Sequence, residues 1–482
     1  MSGEAPGPEG VTPAATHLGE ARLSRQEKAG PGTFSQSGSD DSQSGSDEEP
    51  GSGPGLVALD RSREFWTVIG YAVVFGIVLA VAGLAFLGLI KGGAKLWFTL
   101  PKNPGWFSGS LWWVAVTAAA GVLVGVLRRV LRLPAKLPGT MKELQDQRVE
   151  PSTVLKAVAV SLVSLAGGAS LGPEDALGKM GGGLGTWVSE RRKLDKSTSA
   201  TNALSGMSGA YGGLLSSPIL ATSFVVELAR PKRPDYVNTL VAALLSATVA
   251  FAVYFPIAGS TFLGIYTLPS SKYADWQLAA AIPLGLAAGA LALVTVVAIG
   301  LLAKLTAPLA ERTILRAALG GIAFGLVGVA LPLTLFTGTS QLTTVIHDGA
   351  ALGAGLVIAV VFAKILVFAL CEATGFIGGP VLVMLFIGGT AGIAAHLLIP
   401  GLPEGLAFAT MFAAVLGSLV AAPVSGIVLV ALTTQIGALQ IAPVAVAVLT
   451  AYLAVSGSGA LMALARRGRK QPAPVQQAAG QP

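Results

Sequence analysis

Two Gly-Pro pairs lie where the main chain itself could bind an anion. Gly172-Pro173 and Gly379-Pro380 each open an apolar stretch. Proline fits the first turn of a helix, and a preceding glycine lets the chain bend into that turn. Each pair therefore predicts a helix N-terminus inside an apolar region. The free N–H groups and the dipole of such a helix end favour a negatively charged ligand.

A second proline follows each pair at nearly the same distance. Pro218 lies 45 residues after Pro173, and Pro423 lies 43 residues after Pro380. This pattern indicates two copies of one unit. Broken helices from two repeats that meet near the middle of a bilayer are typical of transporters and channels. Four ordinary helix starts in loops would give the same pattern, so both interpretations stay open at this point.

The composition indicates that lipid surrounds most of the chain. Only 12% of the 482 residues are charged and the mean hydropathy is +0.69, whereas soluble domains carry about 25% charge. Several apolar runs exceed the roughly 18 residues that span a bilayer. Other runs are shorter and are interrupted by glycine or proline. We therefore expect an all-α polytopic membrane protein.

The chain divides into three parts by composition. Residues 1–64 are acidic and rich in Ser, Gly and Pro, which predicts a disordered tail. Residues 65–465 are predicted to form one transmembrane domain with repeat halves of about 65–260 and 277–464, and 466–482 form a basic tail rich in Pro and Gln. Basic residues flank several spans, so the positive-inside rule predicts a multi-pass cell-membrane protein with both termini in the cytoplasm.

Several functional classes are disfavoured. The single cysteine, Cys371, lies in an apolar run, and the three histidines are scattered. We therefore expect no metal site and no cofactor. No nucleophile is paired with a base, which argues against an enzyme. The basic residues flank spans instead of forming one face, so we expect no nucleic-acid partner.

Taken together, these residues resemble the CLC family of chloride channels and proton-coupled chloride transporters, and the chain resembles a divergent prokaryotic member. The likeness covers about residues 66–465. Four segments resemble family motifs of the GSGIP, GREGP, EEMRP and GxFxP types, and they are residues 134–138, 168–173, 227–231 and 375–380. The order and spacing of the segments are more specific than any one of them.

The resemblance implies a fold, an assembly and a ligand. The expected fold has two inverted repeats with tilted and half-length helices. The expected assembly is a homodimer in membrane lipid with one pore per subunit, and the expected ligand is chloride or a similar anion. Many eukaryotic relatives carry cytoplasmic CBS domains, which we do not expect in this chain.

The resemblance also implies a set of pore residues. Main-chain N–H groups are expected to do most of the coordination, because Gly378 stands where the family has a phenylalanine, Ala135 or Lys136 where it has the pore serine, and Met462 near its late tyrosine. The predicted anion-binding residues are Ser170, Leu171, Gly172, Ile377, Gly378, Gly379, Ala135, Lys136 and Met462.

Two departures from the family motifs concern protons. Leu171 stands at the position of the gating glutamate, and Leu228 stands at the position of the glutamate that relays protons. Coupled exchange needs a protonatable residue in the anion path. The sequence therefore predicts passive conduction of small inorganic anions.

Three nearby acids keep other interpretations open. Glu174 and Asp175 follow Pro173, and Glu372 precedes the second motif. They are either helix-end caps or displaced proton and gating groups, and the second reading would make the chain a proton-coupled antiporter. A third alternative is a degenerate relative that no longer conducts and acts as a sensor or scaffold.

Overall fold

The structure is a computed structural model that describes residues 63–99, 110–134, 137–260, 264–269 and 272–468. The side chains of 63–64, 99, 110, 233–234 and 460–468 are outside that description. Most of the predicted N-terminal tail and of the predicted basic tail likewise lies outside the described residues. The described residues form 15 α-helices and no β-strand, which confirms the predicted all-α class.

The helices occur in the following order: α1 Arg63–Thr99, α2 Ser110–Val130, α3 Thr140–Asp146, α4 Pro151–Ala166, α5 Glu174–Arg192, α6 Lys196–Leu214, α7 Pro218–Ala229, α8 Arg233–Ala258, α9 Trp276–Thr306, α10 Thr313–Ala330, α11 Thr339–Thr374, α12 Val381–Leu398, α13 Glu404–Leu419, α14 Pro423–Thr434 and α15 Ile441–Gly468. Three short 3₁₀ turns lie between some of these helices. Helix α11 is two helices joined at Gly353, whose φ of 79° interrupts the helical backbone.

The four prolines start helices, as the spacing predicts. Helices α5 and α12 begin directly after Pro173 and Pro380, and Pro218 and Pro423 are the first residues of α7 and α14. Proline is favoured at this point because its missing N–H would have had no partner inside the helix. The side-chain hydroxyl of Ser217 accepts the N–H of Leu220 and so caps α7.

Eight helices among the described residues are long and apolar enough to cross a membrane. Their apolar stretches are Phe65–Phe98, Leu111–Val130, Asp235–Ala258, Trp276–Leu309, Thr313–Ala330, Thr339–Thr374, Val381–Leu398 and Ala438–Gly459. Within its most apolar stretch, α12 is 78% buried and α9 only 22%. Helix α12 therefore lies in the middle of the helical bundle, while α9 presents most of its apolar surface outward, as lipid requires.

The same packing order occurs in both halves of the chain. Helix α5 packs on α6 as α12 packs on α13, and α1 packs on α8 as α9 packs on α15. The first of these contacts is close because Gly181 and Gly206 face each other, and a Cβ atom on either would overlap the other's main chain. The shorter apolar helices α4, α7, α13 and α14 complete the two halves around α12.

Candidate functional site

The two Gly-Pro motifs meet through a pair of main-chain hydrogen bonds. The N–H of Gly172 donates to the carbonyl of Gly379 at 2.8 Å, and the N–H of Gly379 donates back to Gly172 at 2.7 Å. This antiparallel bridge ties the start of α5 to the start of α12. The N–H of Ile377 donates to the hydroxyl of Ser164 at 3.1 Å. Three of the N–H groups expected to bind an anion are thus paired within the protein.

The carboxyl group of Glu174 fills the space that the two bridge glycines leave. A Cβ atom on Gly172 or on Gly379 would overlap this carboxyl group. Its Oε1 atom accepts the N–H of Val381, the first residue of α12, at 2.6 Å. Its Oε2 atom is buried with no partner among the described residues. Glu174 therefore caps α12 from the other repeat, and it occupies the place where a helix N-terminus would hold an anion.

Leu171 and Gly378 pack against each other beside this carboxyl group. Leu171 is fully buried, and a Cβ atom on Gly378 would stand 2.6 Å from the Cβ of Leu171. The leucine side chain therefore occupies room that a larger residue at 378 would need. Beside it, the hydroxyl of Ser170 is buried with no partner among the described residues. No hydrogen bond between described residues engages the N–H of Gly378.

The structure brings most of the predicted pore residues together at this point. Those that lie around the bridge are Ser170, Leu171, Gly172, Ile377, Gly378 and Gly379. The predictions for Ala135 and Lys136 fall outside the described residues, and Met462 lies in α15 with its side chain outside them as well.

Asp175 caps a different helix from its neighbour Glu174. Its Oδ1 atom accepts the N–H of Thr140, the first residue of α3, at 3.1 Å and also accepts the hydroxyl of Thr140. The ammonium of Lys179 donates to the same oxygen at 3.1 Å and to Oε2 of Glu143 at 2.8 Å. Both acids after Pro173 are therefore caps, but of α3 and α12.

A third acid caps the last broken helix. The carboxylate of Glu227 accepts the N–H groups of Val424 and Ser425, each at 2.8 Å, and the hydroxyl of Ser425 at 2.6 Å. Sequence reasoning placed Glu227 in a family-like motif and missed this contact, because no local pattern relates residues about 200 positions apart. Carboxylates of the first half thus cap the starts of α12 and α14 in the second.

Comparison with known proteins decides the family. The family model for voltage-gated chloride channels matches residues 120–456. The chain belongs to this family. The predicted resemblance to the CLC proteins is therefore confirmed.

Curated relatives and solved structures agree with this assignment. The chain is 26% identical to the ion-transport protein YfeO of Salmonella choleraesuis, over 67% of this chain and 77% of the relative. It is similar to the crystal structure of a slow cyanobacterial Cl⁻/H⁺ antiporter, with 18% identity, a TM-score of 0.73 and coverage of 84% and 98% of the two chains. A CLC-type fluoride/proton antiporter gives 18% identity and a TM-score of 0.67, with coverage of 81% and 96%. These structures support the CLC fold, with its inverted repeats and half-length helices.

Within this CLC fold, the third candidate acid lies near the other two. Glu372, on α11, is exposed, unlike Glu174 and Asp175. Its carboxyl group is close enough to Glu174, Asp175 and Lys179 to interact with their charges. The three acids that the sequence singled out therefore form one electrostatic cluster around the start of α5.

A cavity of about 620 Å³ in this CLC protein reaches the same place from one side. Leu171, Pro173 and Leu382 line it together with Lys91 and several polar side chains, which are Ser260, Thr337, Thr339, Ser340, Gln341 and Thr343. An exposed lysine at such a cavity attracts anions. The cavity therefore provides water with a route that ends at apolar Leu171, one residue from the bridge.

Lys364 fixes one wall of that cavity. Its ammonium is fully buried and donates to the carbonyls of Thr334, Leu335 and Phe336 at 3.0, 3.3 and 2.7 Å. The Nζ atom of Lys364 also lies 4.8 Å from the centre of the Phe386 ring. These contacts hold the turn that leads into Thr337 and the start of α11. Lys364 therefore binds main-chain carbonyls and stabilises the segment that lines this side of the cavity.

Proposed function

We propose that this CLC protein transports small inorganic anions such as chloride, and that the carboxyl group of Glu174 gates the path. The observation that carries this proposal is the 2.6 Å hydrogen bond from Val381 N–H to Glu174 Oε1. An ionised carboxylate there competes with an anion for the positive end of α12. Protonation removes that charge, so the anion can take its place.

The proposal moves the gate from Leu171 to Glu174. Leu171 cannot carry charge, but it lies between the cavity and the bridge. The anion would pass Leu171, meet the N–H groups of Gly378 and Val381, and displace the carboxyl group. Two related structures are named as proton antiporters, and a protonatable gate is consistent with coupling of anion and proton movement in this chain too.

Passive conduction is the second candidate. It is favoured by Leu171 and Leu228, two buried apolar residues at the positions where the family motifs carry protonatable glutamates. In that case Glu174 would make anion flow depend on pH without moving protons across the membrane. A scaffold or sensor that conducts no anion is the remaining alternative.

The experiment is anion efflux from proteoliposomes at several pH values, with the external pH recorded and valinomycin clamping the voltage. We expect wild-type efflux to rise as pH falls and Glu174→Gln efflux to be independent of pH. Glu190→Gln is the matched control, since Glu190 lies in the same helix on the exposed surface, and it should behave as wild type. An unchanged pH dependence in Glu174→Gln would disprove the gate. Absence of efflux from folded wild-type protein would favour the scaffold.

We also propose that the protein is a homodimer in the cell membrane with both termini in the cytoplasm. Membership of the CLC family supports the homodimer. The clustering of basic residues at helix ends supports the orientation, as with Arg128 and Arg129 in the last turn of α2 and Arg191 and Arg192 in that of α5. Labelling of introduced cysteines with a membrane-impermeant reagent, in intact cells and in inside-out vesicles, tests the orientation.

A further inference from the structure

A buried polar cluster extends from Glu174 along the first two turns of α5 to α3. Glu143, Glu174 and Asp175 are only 5%, 4% and 6% exposed, and Lys179 is 2% exposed. With every acid ionised, these three carboxylates and the nearby, exposed Glu372 would share one ammonium. Uncompensated charge is unfavourable in a low-dielectric interior. At least one of these carboxyl groups is therefore expected to hold a proton near neutral pH.

The members of the cluster are joined by direct contacts. Lys179 donates to Glu143 at 2.8 Å and to Asp175 at 3.1 Å, and Asp175 accepts the hydroxyl of Thr140. These contacts form a continuous series from Glu143, on α3, to the first turn of α5. They also fix Lys179 firmly, since its ammonium donates to the carbonyl of Pro138 at 2.8 Å as well.

Tyr211 lies beside this series, and its hydroxyl faces Glu174. Its hydroxyl is buried, and the side chain of Thr140 interacts with it. The hydroxyl lies against Gly178, one turn after Glu174. A Cβ atom on Gly178 would overlap the hydroxyl and would stand 3.3 Å from the Cγ2 atom of Thr140. The charged groups that face this hydroxyl are Asp175, Glu174 and Glu143. A hydroxyl can accept a proton on one side and donate one on the other.

The far end of the series lies near the C-terminal ends of α3, α5 and α7. Glu143 interacts with the charge of Asp146, which is exposed at the end of α3. Close by, Gln147 donates to the carbonyl of Ala229 at the end of α7, and Arg148 pairs with Glu190 at 2.7 Å near the end of α5. Within the cluster, Glu143 is therefore the group that interacts with the exposed Asp146 on this face.

We propose that protons reach Glu174 from this face through Glu143, Lys179, Asp175, Thr140 and Tyr211. Each intermediate group accepts one proton and passes one on, so that Glu143 loses a proton and Glu174 gains one. Glu143 then takes up another proton from water. This route would replace the one that the family's second glutamate supplies, since Leu228 cannot carry a proton. The inference rests on the proposed gate at Glu174 and adds the source of its proton.

Burial supports a proton-carrying role for Glu143. It raises the pKa of Glu143 to about 7, and the nearby ammonium of Lys179 only partly opposes this shift. The charged groups that face Glu143 are Lys179, Asp175 and Asp146. A group that gains and loses its proton near neutral pH is suited to proton transfer.

The test compares proton and anion movement in proteoliposomes for wild type, Tyr211→Phe and Glu143→Gln. Tyr211→Phe removes one hydroxyl and no charge. It keeps the aromatic ring, whose centre lies 5.7 Å from the centre of the Phe224 ring. We expect anion efflux within about twofold of wild type, and proton movement per anion reduced by about tenfold or more. Tyr236→Phe and Glu150→Gln are the matched controls, because both side chains are exposed, and they should keep wild-type coupling.

Each outcome bears on the proposal. Wild-type coupling in both variants would disprove the route. If the wild-type protein passes anions but moves no protons, the route is also disproved. The gate would still be judged separately by the pH dependence of efflux in Glu174→Gln. If Glu143→Gln does not fold, because Lys179 has lost a partner, Tyr211→Phe alone decides.

Discussion

The carboxyl group of Glu174 accepts the main-chain N–H of Val381 across 207 residues of sequence, at 2.6 Å. Glu174 begins α5 of the first half, and Val381 begins α12 of the second. The negative charge that α12 attracts is therefore part of the protein itself. An external anion can bind at the same place only after this side chain has moved or lost its charge.

Gly379→Ala should displace Glu174 without altering its chemistry. The added Cβ would overlap the carboxyl group, so the hydrogen bond to Val381 should break. We expect efflux at neutral pH to rise several-fold and its pH dependence to weaken. Adding Glu174→Ala removes the overlap. The efflux rate and pH dependence of the double variant should therefore match those of Glu174→Ala alone. Gly88→Ala is the control, because its Cβ would meet no atom within 4 Å.

Leu171→Ala should speed efflux and reduce stability. Leu171 is fully buried between Gly378 and the cavity, so truncation opens a gap there. The loss of packing should cost about 2–5 kcal/mol of unfolding free energy. Leu177→Ala, also buried, should destabilise by a similar amount. Equal efflux in the two variants, measured alongside thermal unfolding in detergent, would mean that Leu171 does not restrict the path.

Glu227→Gln should affect stability but not proton coupling. Glu227 caps α14 through three hydrogen bonds, and charge-assisted bonds of this kind are stronger than neutral ones. We expect a loss of about 1–2 kcal/mol, visible as a lower melting temperature in detergent. Proton movement per anion should match wild type. A changed ratio would place Glu227 in the proton route.

The stability of the protein should fall as pH rises through neutrality. The pKa of Glu143 is raised from 4.5 to about 7 in the folded state, so the protonated form favours folding. Its contribution is fully present below about pH 4.5 and is lost as pH rises through about 7. Glu143→Gln should flatten this part of the curve of melting temperature against pH. A wild-type curve that rises over this range would contradict the prediction.

The sequence was most informative where local chemistry decides the structure. The prolines at 173, 218, 380 and 423 mark the helix starts correctly, because proline is favoured in a first turn for reasons that involve only its neighbours. The eight long apolar helices follow from length and composition in the same way. These local signals were sufficient to predict the class of fold.

The partners of those helix ends could not be predicted in this way. The sequence indicated free N–H groups at Gly172 and Gly379, whereas the structure pairs them with each other. It left Glu174 open as a cap or a gate, and did not show that the helix it caps is α12. Both contacts join residues about 200 positions apart, so only tertiary packing defines them.

The bridge between Gly172 and Gly379 limits the motion that can open this protein. Its two hydrogen bonds hold the main chains of the two motifs in fixed register, so sliding one half along the other would break both bonds at once. Rotation of the Glu174 side chain breaks neither. Collective movements of domains, in contrast, take microseconds to milliseconds. Opening by a rotamer change could therefore occur without large-scale rearrangement of the two halves.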